Sequence, residues 1–474
     1  MVGEGGNLGF TQLARMAFAR AGGRINTDAI DNSAGVDMSD HEVNLKIMFG
    51  AAHPPISQAR RNRILEGLTE AVTGQCLNDN HLQSHALSLA AYNAQFHLPR
   101  LRRLCNAMLE DGRLDAQRDP GLDEESLVLR PQLAVLLGHE KNRIREALAR
   151  DGFARWTALR STLLEGYFPE EVLRRHKRLI PAHPLADDIV HTEAADHVVN
   201  HIGITAVHHL ESLLDVPIAQ IVEALLIADR LLDAQSLRQA VWSQIEDAGT
   251  TIQIQHALAD HVMHFAEELA RLCTITDLDL PWIQRQWLDI RHFRHSIAGH
   301  GISGMEQSAF LDMLKTTTQA GLETDAAEQL ATMPELAESA TALYLSMHLK
   351  LSLRICLQAT QACLHLLPIT ALEMQLRSSD WNDDEAHALR REWLHRLTHL
   401  KAQATGQLLA PGTRDMVATG ERLWSGHHYW PNLMQTRTWL DAEDGAAPPS
   451  RTEVMLALAQ LESLLDESNH RDGP

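Results

Sequence analysis

The sequence predicts a mainly α-helical protein with a short α/β segment at its N-terminus. From about Ser57 onward, Leu, Ala, Arg, Glu and Gln recur at helical spacing, and runs of the β-branched and aromatic residues that favour strands are few. Before that point the chain has a glycine-rich turn and a stretch rich in Asn, Asp, Gly and Ser, which is typical of loops at the edge of a sheet.

The glycine-rich turn covers residues 3–9, and residues 11–21 follow it with a helical pattern that Gly22 and Gly23 would end. Residues 24–27 are then predicted to form a short strand. A glycine turn of this kind normally follows a complete buried strand, whereas two residues precede this one. We therefore expect that upstream sequence is missing.

Ser39 and Glu42 have the spacing of a capping box. In that motif the Ser hydroxyl accepts a hydrogen bond from the third amide of the helix, and the Glu carboxylate accepts one from the Ser amide. The pattern predicts a helix that begins at Ser39. Such strand-to-helix loops hold anionic ligands at helix N-termini. The segment therefore offers binding groups, although it contains no recognisable nucleophile.

The remaining chain is predicted to be a series of helices. Proline-containing segments predict breaks at 53–55, 119–121, 168–169, 181–184, 280–281, 410–412 and 446–449. Residues 450–467 form a last amphipathic pattern. Its apolar positions are Val454, Leu456, Leu458, Leu461, Leu464 and Leu465. We predict a domain boundary between residues 52 and 53, with possible sub-boundaries near 120, 181 and 281.

The charge of the chain argues against nucleic-acid binding. Its 474 residues include 62 acidic and 42 basic side chains, for a net charge of −20, which repels phosphate backbones and anionic lipids. No apolar run approaches the roughly 20 residues that span a bilayer. The five cysteines are widely spaced and lack a CxxC pair, which suggests reduced, buried thiols. We expect a cytoplasmic protein without nucleic-acid or membrane partners.

The 27 histidines form no recognisable metal motif. The closely spaced ones are His395 with His399, His292 with His295, and His256 with His261 and His264. The first pair lacks the Glu of a zinc-hydrolase helix, and no Cys or carboxylate set in the sequence completes a site. We predict no metal site.

Three N-terminal segments carry a resemblance to a known family: residues 3–9, residues 23–36 and residues 39–44, the last reading Ser-Asp-His-Glu-Val-Asn. They resemble the large NAD-specific glutamate dehydrogenases of bacteria, and looser similarity continues through 129–137, 167–169, 183–185 and 198–200. The resemblance implies a C-terminal portion of such an enzyme. Residues 1–52 would end its Rossmann-like NAD-binding catalytic domain, and residues 53–474 would be its helical domain.

The resemblance implies roles for four residues. Gly5 and Asn7 stand in a turn like the one whose Asn contacts a ribose of NAD. Asn32 is similar to the Asn at the nicotinamide side of the cleft, and Ser39 aligns with the Ser that binds the distal carboxylate of glutamate. One departure is Met38, where large members of the family often carry Cys.

The implied reaction is oxidative deamination of L-glutamate to 2-oxoglutarate and ammonia, with hydride transfer to NAD in a homo-oligomer. The resemblance also implies that the catalytic Lys and Asp and the GxGxxG loop lie upstream, since residues 3–8 fail that fingerprint at Leu8. The isolated chain is therefore expected to be inactive. The alternative is a non-catalytic helical assembly or regulatory module.

Overall fold

The structure is a computed structural model, and it describes residues 1–115, 128–153, 157–272, 304–378, 384–410, 415–440 and 450–470. Within these ranges the regular secondary structure is helical, and no β-strand occurs. The prediction of a mainly helical protein is confirmed. The predicted breaks near 120, 281, 411 and 447 and the sub-boundaries near 120 and 281 lie outside the described residues.

The helices are numbered in chain order. The first twelve are α1 (Gln12–Arg20), α2 (Asp28–Asp31), α3 (Ser33–Gly50), α4 (Gln58–Glu110), α5 (Arg130–Asp151), α6 (Thr157–Tyr167), α7 (Glu170–His176), α8 (Ala186–His201), α9 (Ala206–Leu213), α10 (Ile218–Leu231), α11 (Ala234–Gln244) and α12 (Ala248–Leu272). A 3-10 helix at Lys177–Ala182 precedes α8. The long α4 is kinked at His97, two residues before Pro99, because proline disrupts the helical hydrogen-bond ladder.

The later helices are α13 (Gly304–Gln319), α14 (Thr324–Ala331), α15 (Met333–Ala337), α16 (Ala340–Leu349), α17 (Leu353–Leu366), α18 (Ile369–Ser378), α19 (Asp384–Leu408), α20 (Met416–Trp424), α21 (Trp430–Leu440) and α22 (Arg451–His470). The predicted last helix is thus confirmed. Five of its six apolar positions are buried, whereas Leu456 is 55% exposed and lies outside the buried side of the helix.

The chain forms two compact units. Unit 1 comprises residues 1–211, 216–226 and 247–260, and unit 2 comprises residues 212–215, 227–246 and 261–474. In unit 1, α5 packs against α4 and α8, and α3 packs against α4. In unit 2, α17 packs against α16, α19 and α20, and its core includes Trp393, Trp424 and Leu461. The boundary between residues 52 and 53 and the sub-boundary near 181 stay predictions.

The predicted strand at residues 24–27 is wrong. These residues have no regular secondary structure and receive one backbone hydrogen bond, from Val2 N to Arg24 O at 2.8 Å. A strand needs a ladder of such bonds to a neighbouring strand, and the described residues contain none. The described part of the chain therefore does not show the Rossmann-like remnant predicted for this segment.

Helix α1 is confirmed, and Thr11 caps it through a hydrogen bond from Ala14 N to Thr11 Oγ1 at 3.2 Å. The predicted start of a helix at Ser39 is wrong, because α3 begins at Ser33 and Ser39 lies inside it. A tertiary contact explains the earlier start. Asn80 Nδ2, on α4, donates to Ile30 O at 2.7 Å and to Ser33 Oγ at 3.0 Å.

The predicted breaks at 53–55 and 168–169 are confirmed, since each falls between α-helices, and the segment 181–184 contains the end of the 3-10 helix and the residues that follow it before α8. No single helix among the described residues is both long and apolar enough to cross a membrane. One pair, Leu353–Leu366 with Ile369–Arg377, passes the same test of length and composition but bends by 75°. Both helices contribute buried residues to the core of unit 2, which accounts for their apolar character.

Candidate functional site

The glycine-rich loop at residues 3–9 is held by side chains of the segment that follows α1. Glu4 N donates to Asp31 Oδ2 at 2.9 Å, and Leu8 N donates to Asp28 Oδ2 at 2.8 Å. Asn32 Nδ2 donates to Asn7 Oδ1 at 2.7 Å. The polar segment thus binds both ends of the loop, and the described residues form no sheet that supports it.

Asp31 is itself held by a chain of hydrogen bonds that reaches α5. Asn26 Nδ2 donates to Asp31 Oδ1 at 2.8 Å, and Arg130 Nε donates to Asn26 Oδ1 at 2.9 Å. Arg130 also donates to Ser88 Oγ at 2.8 Å and to Ser84 O at 3.0 Å, both on α4. These bonds connect the loop to two long helices of unit 1.

Glu4 anchors the loop from its other side. Its carboxylate is buried and accepts hydrogen bonds from Arg15 Nε at 2.5 Å and from Phe10 N at 3.0 Å. Arg15 Nη2 also lies 3.0 Å from Asp28 Oδ1. Burial opposes the charge on Arg15, but its bonds to Glu4 raise the pKa of the guanidinium overall. The amide of Leu8, together with Arg15, lowers the pKa of Asp28.

Replacement of Arg15 by Leu is expected to loosen this loop. The change leaves Glu4 buried without its cation, which costs about 1–3 kcal/mol of local stability. Hydrogen exchange at the amides of Glu4, Leu8 and Phe10 should become faster by a corresponding factor of about 5–150. The control is Arg20→Leu, an exposed position in the last turn of α1. Equal protection in wild type and Arg15→Leu would contradict the anchoring role.

The structure brings three of the four predicted site residues to this loop. Gly5 and Asn7 are exposed, and Asn32 is half-buried beside Asn7. Ser39 is exposed on α3, seven residues after Asn32. Because seven residues make about two helical turns, Ser39 lies on the same side as Asn32 and about 10 Å further along the axis. Val36 lies between them and is also exposed.

The opposite side of α3 carries buried polar groups that sequence reasoning missed. Asn44 Nδ2 donates to Tyr167 Oη at 2.8 Å, and Tyr167 Oη donates to Asp40 Oδ2 at 3.1 Å. The ring of His41 stacks on Tyr167 with centroids 4.3 Å apart. Burial lowers the pKa of His41. The helical spacing of His41, Asn44 and Met48 was the available signal, but Tyr167 comes from a distant part of the sequence.

Unit 2 contains a buried network of charged side chains that sequence reasoning also missed. Lys401 Nζ donates to Glu268 Oε2 at 3.0 Å and to Glu338 Oε2 at 2.7 Å. Thr341 N donates to the other oxygen of Glu268 at 3.1 Å. His264 Nε2 lies 2.9 Å from Glu338 Oε1. Burial opposes the charge on Lys401, but the two glutamates raise its pKa overall.

The network continues from His264 through further ion pairs. His264 Nδ1 lies 3.6 Å from Glu373 Oε1, and Arg377 Nη2 lies 2.6 Å from the same oxygen. Arg377 Nη1 lies 2.6 Å from Glu267 Oε2, and Arg271 pairs with the other oxygen of Glu267. Each carboxylate in this set therefore faces at least one cation when His264 is protonated. Removal of one member of such a network leaves its partner buried and uncompensated, which is destabilising.

Comparison with known families matches both parts of the chain. Residues 1–90 match a family described as the catalytic domain of bacterial NAD-glutamate dehydrogenase. Residues 125–462, which are most of the chain, match a family described as the C-terminal part of glutamate dehydrogenase. The catalytic-domain match includes the glycine-rich loop, Asn32 and Ser39.

Three curated relatives are named NAD-specific glutamate dehydrogenase. The Pseudomonas aeruginosa protein is 32% identical over 318 residues, which are 64% of this chain and 19% of the relative. The Halomonas elongata protein is 31% identical over 57% of this chain and 17% of its own length. The Mycobacterium tuberculosis protein is 30% identical over 54% of this chain and 16% of its own length. The matched part of this chain thus spans less than a fifth of each relative.

The two family matches follow one another along the chain and concern the same kind of enzyme. The second match alone covers more than half of the residues. The three relatives carry one name and come from different bacteria. On these grounds, the chain belongs to the bacterial NAD-glutamate dehydrogenase family of oxidoreductases.

Proposed function

We propose that this chain supplies one wall of the active site of an NAD-dependent glutamate dehydrogenase. The enzyme would convert L-glutamate to 2-oxoglutarate and ammonia. The observation that carries the proposal is the 2.7 Å hydrogen bond from Asn32 Nδ2 to Asn7 Oδ1. It joins the two residues to which the family resemblance gives a role in cofactor binding, and they are otherwise separated by α1 and α2.

The residues of the loop fit a contact with part of NAD. A Cβ built on Gly5 or Gly6 would meet nothing within 4 Å, so a ligand has room to approach the backbone there. The bond between Asn7 and Asn32 uses one polar atom of each amide. The Asn7 amino group and the Asn32 carbonyl can therefore face a ribose or a carboxamide. When bound, NAD accepts the hydride from the α-carbon of glutamate.

We assign Ser39 a role in substrate binding, and this assignment also rests on its position. Its hydroxyl does not cap a helix, because α3 begins six residues earlier. It is exposed on the side of α3 that faces the same way as Asn32, the residue just before the helix. A hydroxyl there can donate a hydrogen bond to the distal carboxylate of glutamate, and positioning of this kind accounts for much of enzymatic rate enhancement.

Exposed apolar side chains occur in the glycine-rich loop, on α1 and on α3, which are the elements around the proposed site. Leu8 is 85% exposed, Val36 69% and Leu13 60%. Exposed apolar side chains of this size favour a surface that another part of a protein covers. We propose that the remaining catalytic domain covers it, since the relatives are more than five times longer than their matched regions.

In this proposal residues 1–52 complete the catalytic domain and residues 53–474 form the helical domain of a cytoplasmic homo-oligomer. The test is glutamate-dependent reduction of NAD, measured with the chain alone and with the upstream segment restored. Activity only after restoration is the expected result. Activity of the chain alone would overturn the account of the missing catalytic groups. Inactivity of both would favour an assembly or regulatory module.

Two variants of the restored polypeptide are expected to separate cofactor binding from substrate binding. Ser39→Ala should raise the KM for glutamate about 10- to 100-fold, as expected for a lost hydrogen bond to a charged group. Asn32→Ala should raise the KM for NAD and affect the glutamate KM less. Ser243→Ala, at an exposed helical serine of unit 2, is the control. An unchanged glutamate KM in Ser39→Ala would remove Ser39 from the site.

A further inference from the structure

The interface between α3 and α4 contains a group of side chains with metal-ligand chemistry. Asp37 and His41 lie four residues apart on α3, and Cys76 faces them from α4. One ligand atom from each residue lies within 4.8 Å of the other two. His41 is 3% exposed and Cys76 is 1% exposed. The group therefore lies in a largely buried position that side chains from two helices define.

The distance between the two α3 ligands fits a bound ion better than a direct hydrogen bond. His41 Nε2 lies 3.6 Å from Asp37 Oδ1, whereas hydrogen bonds of this type are about 2.7–3.2 Å long. In a tetrahedral zinc site, bonds of about 2.0–2.3 Å place neighbouring ligand atoms about 3.3–3.8 Å apart. The observed separation falls within that interval.

The same group has polar atoms that the described residues do not satisfy. Asp37 Oδ2 and His41 Nδ1 are buried and have no hydrogen-bond partner among the residues that the structure describes. A buried polar atom without a partner is costly, and a bound ion or water commonly satisfies such an atom. Asp37 Oδ2 shares its carboxylate with Oδ1, so an ion at this position can contact it as well, whereas His41 Nδ1 lies on the opposite edge of the imidazole from Nε2.

The electrostatic surroundings also favour a cation. Asp79 acts electrostatically on both His41 and Cys76, and Asp37 acts on Cys76. Lys141 supplies positive charge, but its ammonium is already paired with Asp196 at 3.0 Å. Negative charge thus accumulates beside His41 and Cys76. A divalent cation would neutralise it at the point where the ligand atoms converge.

We propose that Asp37, His41 and Cys76 bind one Zn²⁺ ion. Imidazole nitrogen, carboxylate oxygen and thiolate sulfur together suit zinc, whereas Mg²⁺ and Ca²⁺ prefer oxygen ligands alone. Three protein ligands leave the fourth tetrahedral position to water. As the Zn–S bond forms, the proton of the Cys76 thiol passes to solvent. The ion would fix α3, which carries Ser39, against α4, and the proposal does not depend on the proposed dehydrogenase function.

Cobalt binding to the full chain tests the site, because Co²⁺ replaces Zn²⁺ and a cobalt–thiolate bond absorbs in the near ultraviolet. The metal-free chain is titrated with Co²⁺ and then with Zn²⁺. Wild type should give one thiolate band that Zn²⁺ abolishes, and Cys76→Ser should give none. The matched control is Cys105→Ser, another buried cysteine of α4, which should keep the band. Absence of the band in wild type, its persistence in Cys76→Ser or its loss in Cys105→Ser would overturn the proposal.

A second variant keeps the test decisive if Cys76→Ser fails to fold. Asp37→Asn changes a partly exposed side chain at constant size, and it should weaken Co²⁺ binding at least about tenfold. Zn²⁺ should raise the melting temperature of wild type more than that of Asp37→Asn. Equal cobalt affinity and equal thermal stabilisation in the two proteins would overturn the site.

Discussion

Replacement of Lys401 by Met is expected to lower the free energy of unfolding of unit 2 by about 3–5 kcal/mol. Lys401 is 1% exposed, and its ammonium donates hydrogen bonds to Glu268 and Glu338. Methionine has a similar length but no charge. The variant therefore leaves two carboxylates close together without their shared cation, and the loss of packing is small by comparison.

Denaturant unfolding measures this effect. The fluorescence of the buried Trp393 and Trp424 reports on unit 2, since both belong to its core. Lys315→Met is the matched control, because Lys315 is exposed on α13 and its replacement should change stability by less than about 0.5 kcal/mol. Similar unfolding midpoints and slopes for Lys401→Met and wild type would show that the network contributes little.

The stability of unit 2 is also expected to fall as the pH rises from about 6.5 to about 9, because of His264. Burial opposes the charged imidazole, but Glu338 and Glu373 more than offset this effect and raise the pKa of His264 from 6.5 to about 9. Its neighbour His261 has a pKa lowered to about 4 by burial and by the charge of His264, so it stays neutral over this interval.

The sign follows from proton linkage. Below pH 6.5 His264 is protonated in both the folded and the unfolded chain, and its ion pairs stabilise the fold fully. Between the two pKa values only the folded chain retains the proton, so stability decreases with pH. Above about 9 the contribution is lost. The difference between the pKa values corresponds to about 3 kcal/mol.

Unfolding free energies of wild type and His264→Gln, measured from pH 6 to pH 10, isolate this contribution. Glutamine can keep a hydrogen bond to Glu338, but it does not titrate. Wild type should be more stable than the variant at pH 6, and the difference should vanish near pH 10. A difference that does not change with pH would assign the role of His264 to packing rather than to charge.

Local sequence signals predicted much of the helical fold. The apolar spacing at residues 11–21 and the glycines after it predicted α1, prolines separate α3 from α4 and α6 from α7, and the spacing of leucines identifies α22. These features depend on backbone chemistry within a few residues, so they can be read without the tertiary structure. The prediction of a strand at residues 24–27 was wrong because a strand requires a neighbouring strand, which residues within a short segment do not specify.

The start of α3 shows how a tertiary contact overrides a local signal. Ser39 and Glu42 have capping-box spacing. However, Asn80 of α4 donates hydrogen bonds to Ile30 O and Ser33 Oγ, which lie six or more residues before Ser39. The helix therefore begins at Ser33 and places Ser39 on an exposed side. The roles of Gly5, Asn7, Asn32 and Ser39 stay predictions, which rest on family resemblance and on their positions.

The sequence by itself determined the helical class, the family and the segments in which a ligand site was expected, because composition, periodicity and short motifs are local properties. Only the tertiary structure decided which charges meet. Lys401 pairs with Glu268 and Glu338, and Cys76 faces His41. In each case the partners do not share a helix, so the periodic spacing within one helix does not bring them together. Such pairings depend on the packing of helices distant in sequence, which the residues of each helix alone do not specify.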